Sequence, residues 1–250
     1  MDSSIDFASL SNSLTADPSD GVERIHAGAK TRSRLLAISL PIASGLYVAA
    51  VALNPKGTDQ VITSMATAAT LLSIAGKHTT QLYISGALTV LALGALAIAY
   101  AAIATLASRR GAGLATVAAV IGIVANFSGA VYNVLVGFNL AAAASAPISR
   151  EAAARFLVTT FDSGFATAFS YVYFVGIYLA PILMGIALWR GRSVPRWLAI
   201  FFILALEVAQ QAPAKGVVAA AYTVPFMVVM VILATRIWRS SAQERSELSS

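Results

Sequence analysis

The chain has no cysteine and only two histidines, His26 and His78. A disulfide framework, a thiolate zinc site, an iron–sulfur cluster and a cysteine nucleophile are thereby excluded. A multi-histidine metal or haem centre lacks its ligands. Charge is equally scarce: Asp, Glu, Lys and Arg together make up 11% of 250 residues, against about 25% in an ordinary soluble domain. There is no Walker loop, no dinucleotide fingerprint, no H-E-x-x-H and no Gly-x-Ser-x-Gly elbow. No predicted span carries the lysine that a retinal Schiff base would need. No cofactor and no metal are indicated.

What is present is apolar. Hydrophobic residues make up 58% of the chain, and the mean hydropathy is +0.77. An ordinary soluble domain, a disordered chain and a solvated nucleic-acid binder are ruled out. The net charge of +6 does not point to nucleic acid, because cytoplasmic loops of membrane proteins accumulate Lys and Arg. The expected fold class is an all-α membrane protein, a bundle of six transmembrane helices with both termini cytoplasmic.

A bilayer core takes about 20 apolar residues as a helix. Six segments qualify: 35–53, 82–107, 114 to about 140, a stretch within 156–189, 197–212 and 216–238. The fourth exceeds one crossing, so its first turns are expected outside the hydrocarbon. The fifth is short. Twelve of the seventeen basic residues fall on one side of this topology and five (Lys56, Lys77, Arg150, Arg155, Lys215) on the other. The richer side is cytoplasmic by the positive-inside rule. Trp189, Trp197 and Trp238 all fall at inner-face ends, as an aromatic belt requires.

Residues 1–34 read as a cytoplasmic tail, Ser- and Asp-rich to residue 20 and without the basic start and apolar run of a signal peptide. A basic anchor follows, in which 22–34 can form a short helix with Asp20 as its cap. Residues 35–239 form the transmembrane domain and 240–250 a cytoplasmic C-terminal tail. The longest outer connection is 54–81. It opens on a turn-like Asn-Pro-Lys-Gly and continues as an interfacial helix, with Thr63, Thr67 and Thr70 on one face and Ile62, Met65, Ala69 and Leu72 on another. No internal repeat aligns.

The intramembrane polar residues are few. Glu207 lies ten residues after Trp197, about 15 Å of helical rise, near the bilayer midplane. Gln210 and Gln211 share its face, and Pro213 ends the helix. Two readings stand: a substrate or ion site, or a carboxylic acid joining helices by hydrogen bonds. Gly122, Asn126, Gly129, Asn133 and Gly137 form one helical stripe. It is either a tight packing seam or, through Asn126 and Asn133, one wall of a polar cavity. Asn126 lies about 18 Å from the start of its span, close to the depth of Glu207. Asp162 is the other acid near a span. It is expected close to the outer interface, capping or pairing with Arg150 or Arg155. Seven aromatics between 161 and 178 either pack or wall a ligand site.

Leu53-Asn54-Pro55 after the first span, Gln81-Leu82 entering the second and Val194-Pro195-Arg196-Trp197-Leu198 opening the fifth resemble a group of bacterial six-helix membrane proteins known as a domain of unknown function. The resemblance covers about residues 35–239. It implies a bacterial cytoplasmic (inner) membrane protein and no activity.

Three functions remain open. The first is a small permease or membrane ligand-binding protein with its polar centre at Glu207, Gln210, Gln211 and Asn126, taking a small molecule or a lipid. The second is an accessory or scaffold subunit, a homo-oligomer or part of a membrane complex. The third is an intramembrane lipid-modifying enzyme. Acid–base catalysis needs two positioned groups, and Glu207, Asp162 and His78 are expected at different depths, so an enzyme is the least supported. In every case the lipid bilayer is the first partner.

Overall fold

The computed structural model describes the backbone of residues 18–55, 62–107, 110–211 and 216–248, and the side chains of 34–55, 62–107, 110–211 and 216–239. Every regular element among the described residues is helical: α1 (Pro18–Leu53), α2 (Met65–Lys77), α3 (Thr79–Ala104), α4 (Ala112–Asn133), a π-helical turn (Val134–Phe138), α5 (Asn139–Ser145), α6 (Arg150–Phe161), α7 (Gly164–Gly191), α8 (Arg196–Gln210) and α9 (Val217–Leu248). Five stretches are long and apolar enough to cross a membrane: Arg34–Leu53, Thr79–Ala104, Ala112–Ser145, Gly164–Gly191 and Val217–Arg239. The protein is an all-helical, membrane-embedded chain.

The fifth expected span is the exception. As α8 it has 15 residues, about 22 Å of rise against a hydrocarbon core of about 30 Å. It is nevertheless part of the bundle. Its Leu198, Ala199, Phe202, Ala205, Leu206 and Ala209 are buried, at the spacing of one helical face. In space the helices form a closed ring, each touching the next: α1, α3, α4, α7, α8, α9 and back to α1. Within lipid there is no hydrophobic force between helices, so close packing of small residues holds them. Ala43, Ala92, Ala99, Ala118, Ala180, Ala187 and Ala219 are accordingly fully buried.

α4 and α7 run antiparallel. Gly111, before α4, abuts Ala187 and Gly191 near the end of α7, whereas Ala125 meets Gly176 and Gly129 meets Tyr173 further along. α1 and α9 are antiparallel too. The Arg34 guanidinium lies 5.0 Å from the Trp238 ring, and at the far end the Gly216 N–H donates to the Val51 carbonyl at 3.0 Å.

A second, smaller core lies beyond the ring. Ala68, Leu71, Leu72 and Ala75 of α2 pack with Leu140, Ala141 and Ala143 of α5 and Ala153, Ala154 and Leu157 of α6. The π-helical turn makes this cap attainable. It shifts the helical phase about two-thirds of the way along a continuous 34-residue helical stretch, so that α5 turns a new face to α2 and α6. Ser64 caps α2 by accepting the Thr67 N–H at 3.2 Å. The expected outer helix is present, but its face is out by about one residue. Ile62 and Leu72 are buried, whereas Met65 and Ala69 are exposed and Ala68, Leu71 and Ala75 point inward. α2 is held against protein and not only against an interface, and that sets its rotation.

α1 runs from Pro18 unbroken to Leu53, so the backbone of Asp20 lies inside its first turn, and no boundary separates a 22–34 helix from the first span. α9 is helical to Leu248, and the part of it long and apolar enough to cross a membrane is Val217–Arg239. The fourth segment divides at Asp162 and Ser163 into α6 and α7. Residues 1–17, the loop residues Lys56 and Gly57, Arg109, and Ala212, Pro213 and Lys215 lie outside the described residues.

Ser163 makes the α6–α7 corner. Its Oγ donates to the Thr160 carbonyl at 2.6 Å and accepts the Ala166 N–H at 3.3 Å. Ser163→Ala removes both, at a cost of about 1 kcal/mol. Hydrogen exchange at the Ala166 amide should then rise roughly fivefold.

A candidate site on the axis of the ring

The six helices of the ring line a small, partly open cavity of about 30 Å³. Each helix contributes a side chain: Tyr47 from α1, Tyr100 from α3, Asn126 from α4, Ile177 from α7, Gln210 from α8 and Phe226 from α9. A water needs about 10–15 Å³ of such space, so one or two waters fit and an organic solute does not.

The wall is built by local packing. Gly122 has no side chain, and the Tyr100 ring occupies the space a Cβ would need, 2.6 Å from that point. The Tyr100 ring thereby lies close against α4 and lines the cavity. Tyr47 and Phe226 meet edge to face at 5.9 Å, a favourable aromatic geometry. Asn126 is 4% exposed, and its Nδ2 donates to the Gly122 carbonyl at 2.7 Å. One amide proton and the acceptor Oδ1 remain for whatever enters. Gln210 is the second amide on the wall. The lining therefore combines two neutral amides and two phenols with apolar surface, and carries no formal charge.

The structure brings together two of the six residues singled out in the sequence and separates the others. Asn126 and Gln210 share the cavity. Glu207 is not on its wall. It is half-buried one turn back along α8, with Oε1 shielded and without a hydrogen-bond partner among the described residues. Asn126 bonds to its own helix and not to Glu207. Gln211 is exposed, and its Nε2 approaches the Tyr178 hydroxyl at 3.4 Å. Asn133 donates from Nδ2 to the Gly129 carbonyl at 2.8 Å, also within its own helix. Neither asparagine bonds across helices.

Asp162 is exposed at the α6–α7 corner. Its expected pairing with Arg150 or Arg155 is replaced by another: Arg155 pairs with Glu151 at 3.0 Å, one turn away, and the cap of α7 is Ser163. The aromatics of 161–178 mainly pack. Tyr132 gathers Phe161, Tyr173 and Phe174 at 6.4, 6.3 and 6.0 Å. Phe165 and Tyr171 are exposed.

Sequence reasoning missed Tyr47, Tyr100 and Phe226. The signal was available for the two tyrosines, since a hydroxyl deep in an apolar span needs a polar neighbour. Among the described residues no group of three or more His, Cys, Asp or Glu side chains could hold a metal ion. Comparison with family models, with curated proteins and with solved structures gives no match for this chain.

Proposed function

We propose that this chain is a small permease of a bacterial cytoplasmic membrane, crossing it six times with both termini inside. Its solute path runs along the ring axis, past Asn126 and Gln210. The observation that carries the reading is the convergence of one side chain from each of six ring helices on a single, partly polar cavity. Six crossings are supported by the position of Gly216. Although α8 alone is short, the chain reaches the far end of α1 by Gly216, where it bonds to Val51. The asymmetry of basic residues supports the orientation.

The neutral lining selects an uncharged, hydrogen-bonding solute, water or a small amide or alcohol. At about 30 Å³ the cavity is a constriction, and anything larger than water requires the ring to open. Proteoliposomes tested by stopped-flow light scattering with water, urea and glycerol supply the measurement. Asn126→Leu and Gln210→Leu should each lower the permeability of the transported solute at least tenfold while the protein remains monodisperse. Unchanged permeability in both variants would refute the reading.

Glu207 favours a second reading, an accessory subunit. Glu207 is only partly buried on a ring helix, so part of its side chain is open to a donor supplied by another membrane protein. Glu207→Gln separates the two. On the axis reading it leaves flux within about twofold. On the partner reading it abolishes a crosslink formed in native membranes.

A further inference from the structure

One end of the bundle carries a basic pocket of about 370 Å³ lined by Arg110, Trp189, Arg190, Arg192 and Arg196. Three of its four arginines come from the α7–α8 turn. The fourth comes from the start of α4, some eighty residues away in sequence, and a glycine brings it there. A Cβ on Gly111 would fall on the Ala187 carbonyl oxygen and 3.2 Å from the Gly191 nitrogen, so only glycine lets α4 begin this close to the end of α7.

Among the residues whose side chains are described, no carboxylate neutralises this cluster. The acids among them are Glu151, which pairs with Arg155, Asp162 at the α6–α7 corner, and Glu207 on α8. α4 and α8 both start here with no side-chain cap and no acid in the first turn, which adds the positive ends of two helix dipoles. Two features of the turn are costly in isolation. Arg192 adopts a left-handed backbone conformation, φ 53°, which a non-glycine residue takes at a cost of roughly 1–3 kcal/mol. The adjacent Ser193 has a buried Oγ with no hydrogen-bond partner among the described residues. The Arg196 guanidinium is held over the Trp189 ring at 5.8 Å.

We propose that this pocket binds the phosphate of an anionic phospholipid headgroup. Arginine forks match phosphate oxygens bidentately, and four of them with no carboxylate among the described side chains call for an anion. The lipid source follows from the surroundings. Trp189 and Trp197 are 42% and 56% exposed beside the pocket, and one turn deeper Ile186 and Ile200 are also exposed. A headgroup at the arginines would lay its acyl chains on those isoleucines. The proposal is independent of the axial cavity.

The test uses the full chain, purified in a neutral detergent and titrated with phosphatidylglycerol, with phosphatidylcholine and glycerol 3-phosphate as parallel ligands, bound lipid being counted by native mass spectrometry. Wild type should bind phosphatidylglycerol, more weakly at high salt, and the other two poorly. Each arginine near the surface is worth roughly fivefold in affinity, so Arg190→Gln, Arg192→Gln and Arg196→Gln combined should lose on the order of a hundredfold.

Arg110→Gln alone should lose roughly fivefold; no loss would overturn the convergence of α4 on this pocket. Arg150→Gln with Arg155→Gln serves as the control for charge alone, and a loss equal to the triple variant's would overturn the site. Equal binding of glycerol 3-phosphate would overturn the lipid source. Equal binding of phosphatidylcholine would overturn the role of charge. Circular dichroism and gel filtration establish that each variant is folded, and if the triple variant is not, the Arg110→Gln arm decides.

Discussion

Gly129→Leu should remove most of the folded, monodisperse protein, whereas Gly137→Leu, two turns along the same stripe, should leave it intact. The two glycines look alike in the sequence. In the structure a Cβ on Gly129 falls on the Tyr173 ring, while one on Gly137 meets nothing within 4 Å. Tyr173 cannot retreat, being 9% exposed and packed against Tyr132 and Phe174. Overpacking a tight site costs about 1–3 kcal/mol and sometimes more. Here it acts on the α4–α7 contact that closes one side of the ring. Because glycine is also the weaker helix former, by roughly 1 kcal/mol against alanine, Gly137→Leu should be neutral or mildly stabilising. Thermal unfolding in detergent, followed by gel filtration, compares them. Rescue of Gly129→Leu by Tyr173→Ala would assign the damage to this contact. Equal behaviour of the two glycine variants would refute the assignment. The stripe is thus a seam within one chain, with Gly122 and Gly129 receiving tyrosine rings from α3 and α7.

Leu157→Ala should release the cap while leaving the ring folded. Leu157 is fully buried in the twelve-residue cluster that joins α2, α5 and α6 and takes in Ile62 before α2 and Leu82 at the start of α3. Truncating a buried leucine costs about 2–5 kcal/mol, the range being set by how far the site can collapse. A cluster this small has little in reserve. Hydrogen exchange in 68–75 and 153–157 should accelerate by about one and a half to three and a half decades. Exchange in α4 and α7 should not change, because the ring's core is a separate cluster. Acceleration throughout the bundle would show that cap and ring unfold together.

The two cores also explain which parts of the fold were legible. The α6–α7 corner shows in the sequence as an overlong apolar stretch whose first turns are set off near Asp162, and the outer helix shows in its apolar and threonine faces. The rotation of α2 does not show, because both Met65 and Leu72 are apolar and only the docking of α5 and α6 selects between faces. The π-helical turn has no sequence signal at all beyond the two asparagines that flank it. Of the polar residues, Asn126 and Gln210 were identified by composition and depth. That Glu207 sits off the axis while its neighbour three residues on faces it depends on the rotation of α8.

Composition and the linear order of charge determined that this chain is helical, lives in a membrane, and gathers arginine and tryptophan at particular helix ends. Those properties follow from transfer free energy, which is additive along the sequence and indifferent to neighbours. Tertiary structure decided which face of each helix turns inward. α3 and α7 are apolar on every face, and lipid is as apolar as a protein core, so amphipathicity gives no direction there. Steric fit supplies it: a tyrosine ring over Gly122, another against Gly129, and Gly111 pressed to the end of α7. These contacts close the ring, bring Asn126 and Gln210 to one cavity, and carry Arg110 to the arginines of a turn eighty residues away.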